Sequence, residues 1–189
     1  KTFEDRPNLL TKREIRIQIL ADLELPEKGI IFDIGAGCGS IGLEALKLRP
    51  KLKLISIDKR IGSKKLIEEN SRRLGVTPLV IFEEDINNLI NPKHKHYLKK
   101  ANRIIIGGCD KKTKVKIINH LSTNMITGEI IVIPIIDVEA INELREILKK
   151  NNFATELNLI QTYKSLSISN GLRIDPNNPV FLLKGKKLI

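Results

Sequence analysis

A glycine-rich segment at the end of a short apolar run most constrains how this chain can fold. The segment reads FDIGAGCGS over residues 32–40 and places Gly35, Gly37 and Gly39 at alternate positions. Glycine adopts left-handed backbone conformations and lets other groups approach the main chain closely. Such a loop between a buried strand and a helix is typical of an α/β fold that binds a ligand beyond the strand end.

Apolar runs and helical segments alternate along most of the chain. The runs that we interpret as buried strands are GIIFDIG, LKLISID, PLVIFEED, NRIIIGG and GEIIVIPIID. Their alternation with helices predicts one domain over residues 1–189, a mostly parallel sheet with helices on both faces. The last two strands, ATELNLIQTY and NPVFLLKG, have no helix between them, so we expect an antiparallel pair. The segment KSLSISNGLRIDPN should join them as a long loop or an irregular hairpin connection.

The first helix is predicted from its start signal. Thr11 is followed three residues later by Glu14, the pattern of a capping box. Apolar residues then recur at helical spacing along one face. We therefore expect a helix that begins at Thr11 and ends before Pro26.

Charge and cysteine content narrow the function only partly. The chain has 33 Lys and Arg against 22 Asp and Glu, a net charge of +11. This favours an anionic partner, either nucleic acid, a membrane surface or a polycarboxylate, although a solvated lysine-rich surface would give the same number. Cys38 and Cys109 fit neither a disulfide framework nor a zinc pattern, so we expect a cytoplasmic protein. No apolar run is long enough to span a membrane, and the first residues lack the apolar core of a signal peptide.

The register of the glycines discriminates between ligands. A dinucleotide fingerprint needs G-x-G-x-x-G, but the third small residue, Ser40, is one position out of register. A P-loop needs a lysine after the last glycine, and none follows. The pattern D-x-G-x-G-x-G instead suits S-adenosylmethionine, whose methionine and ribose portions can lie against glycine backbone.

Three acids at strand ends support this interpretation. Asp33 could face the ammonium group of the donor, Asp58 could accept hydrogen bonds from both ribose hydroxyls, and Asp85 could face the adenine amino group. All three should project from the carboxyl edge of one sheet, where open α/β folds bind ligands. Two alternatives stay open, a purely structural turn and an NAD site, because Asp58 would also suit a nicotinamide ribose.

The sequence resembles a known family over nearly its whole length, the decarboxylating precorrin-6B (cobalt-precorrin-6B) C-15 methyltransferases of cobalamin biosynthesis. The segments that carry the resemblance are LLTKREIR, DIGAGCGSIGLEA, IEENSRRLGV, IIIGG and NPVFLLKG. The glycine loop alone is shared by many methyltransferases, whereas the combination is more specific.

The resemblance implies a Rossmann-like class I methyltransferase with a seven-stranded sheet and a terminal antiparallel hairpin. It implies S-adenosyl-L-methionine as donor and a polycarboxylate tetrapyrrole as acceptor. Carbon C-15 would be methylated and the acetate of ring C would lose carbon dioxide. Relatives occur alone or as the C-terminal half of a fused enzyme, so a C-5 methyltransferase is an implied partner or fused domain. They assemble as homotetramers.

The candidate site residues combine positions that match the family with residues chosen for their charge or their place near the cleft. The donor residues are Thr11, Asp33, Gly35, Ala36, Gly37, Cys38, Gly39, Asp58, Asp85 and Ile86. The acceptor residues are Lys12, Gly107, Gly108, Cys109 and Lys164, with Arg16, Lys111, Lys112 and Arg173 as further basic candidates. The sequence departs from the family after the glycine pair, where it reads GGCDKKTK. No nucleophilic Ser or Cys is expected, and His94, His96 and His120 show no metal spacing.

Two competing functions stay open at this point. The net charge also suits an RNA or DNA methyltransferase, although the fourth strand ends in IIIGGCDK rather than in an N-P-P-Y type of site. A non-catalytic relative that binds S-adenosylmethionine is the other alternative.

Overall fold

A computed structural model describes residues 1–2, 10–90 and 101–189 of the chain. The segment HKHYLKK, with His94 and His96, lies outside the described residues. The helices are α1 (Arg13–Asp22), α2 (Ser40–Leu48), α3 (Ser63–Leu74), α4 (Ile86–Leu89), α5 (Lys111–Ser122) and α6 (Ile141–Lys150), and a short 3-10 helix (Val138–Ala140) precedes α6.

The described residues form nine strands in two sheets. They are β1 (Lys28–Ile34), β2 (Lys51–Ile57), β3 (Val80–Phe82), β4 (Arg103–Ile106), β5 (Ile130–Ile135), β6 (Phe153–Ile160), β7 (Tyr163–Ile168), β8 (Gly171–Pro176) and β9 (Val180–Lys187). The main sheet has seven strands in the order β3-β2-β1-β4-β5-β9-β6. Only β9 runs against its neighbours, β5 and β6. The expected seven-stranded sheet with a reversed terminal strand is confirmed.

The core lies on both faces of this sheet because the buried strands alternate their side chains. Phe32 and Ile34 of β1 pack with α5 and α6 in one cluster. Ile31 of the same strand packs with α1 and α2 in the other. Burial on both faces explains why these strands read as continuous apolar runs.

The strand order reverses between β1 and β4, and this reversal positions the candidate site. Ile34, the last residue of β1, lies in register with Ile57 at the end of β2 and Ile106 at the end of β4. The loops that follow these three strands therefore leave the sheet side by side. Such a switch point is where open α/β sheets bind ligands.

The expected capping box at Thr11 is wrong. Helix α1 begins at Arg13 with Lys12 at the N-cap, and no side chain caps it. The side chain of Arg16 extends toward the start of the helix. Its Nη1 donates to the Thr11 carbonyl at 2.6 Å, and its Nε pairs with Glu44 at 2.8 Å.

The connection before the last strand is more regular than a loop or an irregular hairpin connection. Strands β7 and β8 form a separate two-stranded antiparallel sheet. The third strand is shorter than its apolar run suggested, because Asp85 caps helix α4 rather than extending the strand. In the described part of the chain, every helix is too short or too polar to cross a lipid bilayer.

Candidate active site

The loop after β1 is held open by three glycines in left-handed backbone conformation. Gly35, Gly37 and Gly39 have φ angles of 71°, 60° and 75°, which residues with a Cβ rarely adopt. The amides of Gly35 and Ala36 both donate to the carbonyl of Ile57, at 2.8 and 3.1 Å. The loop thus crosses the end of β2 with its main chain exposed to the space above the sheet.

Gly35 also packs directly against the glycine pair that follows β4. A Cβ on Gly35 would lie 2.6 Å from the nitrogen of Gly108. The amide of Gly107 donates to the carbonyl of Ile34 at 2.7 Å. A side chain on Gly35 would therefore overlap the backbone of Gly108, and a Cβ on Gly107 would lie only 3.0 Å from the carbonyl oxygen of Gly35.

Gly39 plays a different part from its neighbours. It is the N-cap of α2, and a Cβ there would meet the side chain of Ile67 on α3 at 3.0 Å. Gly39 was predicted to bind the donor, but it lines neither of the two cavities described below. Its visible role is to let α2 and α3 approach each other.

Asp33 is buried and braces the start of α2. Its Oδ2 accepts a 3.0 Å hydrogen bond from the amide of Gly42, where the absence of a Cβ leaves room for the carboxyl group. Burial raises the pKa of Asp33 to about 7; the Gly42 hydrogen bond opposes this rise, and the nearby charge of Asp58 adds to it. The carboxyl group can therefore take either charge state near neutral pH.

Asp58 ties the glycine loop to the segment after β2. Its Oδ2 accepts from the amide of Gly37 at 2.7 Å and its Oδ1 accepts from the amide of Arg60 at 2.9 Å. The Arg60 guanidinium lies 3.7 Å from the same carboxylate. Each carboxylate oxygen keeps further acceptor capacity for a ligand hydroxyl.

Asp85 lies three residues beyond the end of β3, where it caps α4, rather than at the strand end as predicted. Its Oδ1 accepts from the amide of Asn87 at 2.9 Å. This hydrogen bond is the main reason that the pKa of Asp85 lies below its usual range, and Lys59 lowers it further. Asp85 is therefore ionised at neutral pH.

Two adjoining cavities occupy the switch point. The smaller has a volume of about 60 Å³ and is lined by the strand-end residues Asp58, Asp85 and Ile86 together with Gly108 and Cys109. The larger has about 590 Å³ and is lined by the residues Thr11, Lys12, Asp33, Gly35, Ala36, Gly37, Cys38 and Gly107, among others. Both cavities share Gly35, Arg60, Gly108 and Cys109.

The predicted acceptor residues are only partly brought together. Lys12 lines the larger cavity and its Nζ donates to Asn177 Oδ1 at 2.5 Å. Cys109 lies at the junction of the two cavities, and burial raises the pKa of its thiol to about 11, so the thiol is neutral at physiological pH. Lys164 lies on β7, opposite Asp175, outside the lining of either cavity.

The further basic candidates also lie elsewhere. Arg16 pairs with Glu44, Lys111 pairs with Glu143 at 2.7 Å, and Arg173 lies 3.3 Å from Asp175 on the exposed hairpin. Lys112 is exposed on α5. None of these four residues lines either cavity.

Several lining residues are not among the predicted site residues. Arg60 borders both cavities, and Lys114, Pro134, Ile136 and Asp137 border the larger one. The signal for Lys114 was present, because it lies four residues after Asp110 and so shares its side of the helix. Among residues 1–2, 10–90 and 101–189, no cluster of three or more His, Cys, Asp or Glu could hold a metal ion.

Known proteins match this chain over nearly its full length. The family model for the precorrin methyltransferase domain matches residues 1–187. A relative from Saccharolobus solfataricus, named a probable cobalt-precorrin-6B C(15)-methyltransferase (decarboxylating), is 29% identical over 94% of this chain and 88% of its own.

Solved structures share the fold. The precorrin-6y C5,15-methyltransferase of Geobacter metallireducens superimposes with a TM-score of 0.83 at 22% identity, covering 99% of this chain and 93% of the other. A SAM-dependent O-methyltransferase of Thermotoga maritima superimposes with a TM-score of 0.72 at 18% identity, covering 97% and 69%. The fold of this chain is therefore one that these methyltransferases share.

Proposed function

The chain belongs to the precorrin methyltransferase domain family, and from that membership we propose that it methylates C-15 of a precorrin and removes the ring C acetate carboxyl group. The acceptor is precorrin-6B or its cobalt form, and the product enters cobalamin biosynthesis. The curated relative that carries this name is similar over 94% of the chain. The observation on which the proposal rests is that the glycine loop and Asp33 line a cavity of about 590 Å³, while Asp58 and Asp85 line the smaller cavity that adjoins it.

The residues at the switch point fit S-adenosyl-L-methionine as donor. Gly35 and Gly37 present backbone without side chains, as a closely approaching ligand requires, and Ala36 between them carries only a methyl group. Asp33 places a carboxyl group in the same cavity, which suits the cationic methionine portion. Asp58 retains acceptor capacity for the ribose hydroxyls, and Asp85 and Ile86 border the space for the adenine.

The adenosine side must open when the donor binds. Its cavity of about 60 Å³ is far below the ~300 Å³ of small ligand pockets. Lys59 and Arg60 are the long side chains in its wall, and both are partly exposed. We propose that they turn outward to admit the nucleoside.

The protein contributes positioning more than acid or base chemistry. When bound, S-adenosylmethionine supplies a methyl group on a good leaving group. The chain's own residues hold the reacting carbon in line and exclude water from the cavity. Loss of carbon dioxide breaks a carbon–carbon bond, the electron pair passes into the conjugated macrocycle, and the exocyclic carbon takes up a proton. The neutral thiol of Cys109 is not a nucleophile at physiological pH.

The larger cavity combines apolar walls with basic residues. Pro134, Ile136 and Val180 form apolar wall, and Lys12 brings an ammonium group to the same space. A flat macrocycle with carboxylates at its edge requires both. This pairing favours a polycarboxylate tetrapyrrole over a nucleobase, which would need an aromatic stacking partner that the described lining does not offer.

We also propose that residues 1–189 act as one methyltransferase domain of a cytoplasmic homotetramer. The hairpin β7–β8 supports self-association because it presents apolar side chains to solvent. Leu172 and Ile174 are 68% and 62% exposed, and Leu166 and Ile168 lie on its other face. A two-stranded hairpin is only marginally stable alone in water, so contact with further copies would stabilise it. A C-5 methyltransferase, fused or separate, is the proposed partner in the pathway.

A paired assay tests the proposed function. Precorrin-6B and donor labelled in the methyl group are incubated with the protein, and the tetrapyrrole is analysed by mass spectrometry. We expect one added methyl group and the loss of one carbon dioxide. An unchanged tetrapyrrole with label in bulk tRNA would support a nucleic-acid methyltransferase. Donor binding by calorimetry without transfer to either acceptor would support a non-catalytic relative.

A further inference from the structure

Lys114 is a basic residue of the larger cavity whose ammonium group is not used by the fold. It lies in the second turn of α5, is half-buried and lines the cavity together with Gly107, Gly108 and Cys109. Its Nζ makes no hydrogen bond or ion pair with the described part of the chain. Burial lowers the pKa of Lys114, which shows that its charge is not fully compensated.

The two carboxylates whose charges act on Lys114 accept hydrogen bonds from other groups. Asp110 caps α5, accepting from the amide and the hydroxyl of Thr113 at 2.9 and 2.8 Å. Asp137 caps the short 3-10 helix, accepting from the amide of Glu139 at 3.0 Å. Both raise the pKa of Lys114 only as secondary effects.

The other cations near the cleft are held in place by protein groups. Lys12 is hydrogen-bonded to Asn177, and the guanidinium of Arg60 lies beside Asp58. Lys111, on the same helix as Lys114, is paired with Glu143. Lys114 therefore differs in bringing an unpaired, partly desolvated ammonium group to the acceptor side of the glycine pair. Keeping a charge there costs free energy unless a ligand compensates it.

We infer that Lys114 binds a carboxylate of the acceptor and helps to select a polycarboxylate substrate. This inference rests on the proposed function. The bound carboxylate is one that the product retains. An ammonium group stabilises an ionised carboxylate more than the transition state for loss of carbon dioxide, in which the negative charge moves into the macrocycle. Lys114 is thus a specificity-determining residue rather than a participant in the bond-breaking step.

Three variants test the inference. Lys114→Met removes the charge but keeps the length of the side chain, and Lys114→Arg keeps the charge. Lys116→Met is the matched control, because Lys116 is exposed on the same helix and lines neither cavity. The measurements are the KM for precorrin-6B, kcat, the Kd for S-adenosylmethionine, and the Kd for uroporphyrin, a fluorescent octacarboxylate.

We expect Lys114→Met to raise the KM and the uroporphyrin Kd about tenfold or more, with the donor Kd within about twofold. Lys114→Arg should recover most of this loss, and Lys116→Met should match the wild type. In Lys114→Met, the rates of methylation and of carbon dioxide release should fall by the same factor at low acceptor concentration.

Acceptor KM and uroporphyrin Kd within about twofold of wild type in Lys114→Met would overturn the inference. A wild-type protein that binds uroporphyrin through Lys114 but does not convert precorrin-6B would refute the proposed function while retaining the carboxylate site. A wild type that neither converts precorrin-6B nor binds uroporphyrin would refute both.

Discussion

The carboxylate of Asp58 accepts a 2.7 Å hydrogen bond from the amide of Gly37, so the acid after β2 fixes the glycine loop after β1. The same carboxylate accepts from the amide of Arg60. One side chain therefore sets the distance between the two loops that surround the proposed donor site. Its binding role and its structural role cannot be separated by removing the whole side chain.

Replacing Asp58 with Asn should weaken donor binding about tenfold or more and lower the free energy of unfolding by about 1–3 kcal/mol. The Asn oxygen can accept one of the two amide hydrogen bonds, but its NH₂ group would face the other donor. Calorimetric titration with S-adenosylmethionine and urea unfolding measure the two effects. Glu68→Gln, an exposed acid on α3, controls for the change in charge. An Asp58→Asn protein with wild-type donor affinity would contradict the proposed ribose contact.

Gly35→Ala should abolish donor binding and destabilise the fold. The added Cβ would lie 2.6 Å from the backbone nitrogen of Gly108, and neither backbone can move freely. The matched control is Gly75→Ala, since Gly75 also has a positive φ, of 66°, but has open space around its Cβ position. We expect Gly75→Ala to cost about 1 kcal/mol and Gly35→Ala at least about 2 kcal/mol more, by urea unfolding. An equal loss of unfolding free energy in Gly35→Ala and Gly75→Ala would show that the two glycine segments can move apart.

Asp33 should make the free energy of unfolding depend on pH. Its pKa rises from 3.8 to about 7 on folding, so between these values the folded protein binds a proton that the unfolded chain releases. Stability from this group is fully present below about pH 4 and is lost as the pH rises toward 7, with a slope of at most about 1.4 kcal/mol per pH unit. Asp33→Asn should flatten the profile relative to the wild type, measured by urea unfolding between pH 4 and 8. Parallel profiles would contradict the raised pKa.

Donor binding should release a proton from Asp33. A cationic ligand favours the ionised carboxylate, so affinity for S-adenosylmethionine should rise as the pH increases through about 7. Calorimetry in buffers of different ionisation enthalpy measures the proton count directly. Asp33→Asn should bind more weakly and should lack the part of the pH dependence that belongs to Asp33. Identical proton release in the variant would place the titrating group elsewhere.

The hairpin β7–β8 should mediate self-association. Changing both Leu172 and Ile174 to Lys introduces charges on one face of the hairpin, and we expect the tetramer to give way to smaller species in light scattering after size exclusion. Ile61→Lys is the control, because Ile61 is 93% exposed in a different part of the chain. Circular dichroism checks that each variant remains folded. An unchanged mass for the double variant, or a monomeric wild type, would contradict the proposal.

The sheet and the position of the glycine loop at its edge could be predicted from the sequence because both depend on local patterns. Apolar runs on a fully buried sheet and glycines that need positive φ leave signals within a few residues. Asp33, Asp58 and Asp85 could be placed at one edge because parallel strands end together. The capping box at Thr11 was wrong because the helix begins at Arg13 with Lys12 at the N-cap, and residue spacing alone does not fix that start.

The acceptor side was predicted less well because it is assembled from distant segments. Lys164 was assigned to it, yet β7 folds into a separate hairpin and carries that lysine away from the cavity. Lys114 was not assigned, since four lysines in KKTKVK look alike in sequence and only the helix register distinguishes the one that faces the cavity. Which lysine of a basic helix meets a ligand is settled by tertiary packing.

Only residues 177–179 separate the end of β8 from the start of β9. Within them, Asn177 accepts the Lys12 hydrogen bond and Asn178 lines the larger cavity. A displacement of the hairpin therefore shifts residues of the acceptor cleft, because only three residues connect the two. If the hairpin joins subunits, turnover per subunit becomes a function of enzyme concentration, and catalytic constants measured at high dilution will describe a different cleft from the one that operates in the assembled protein.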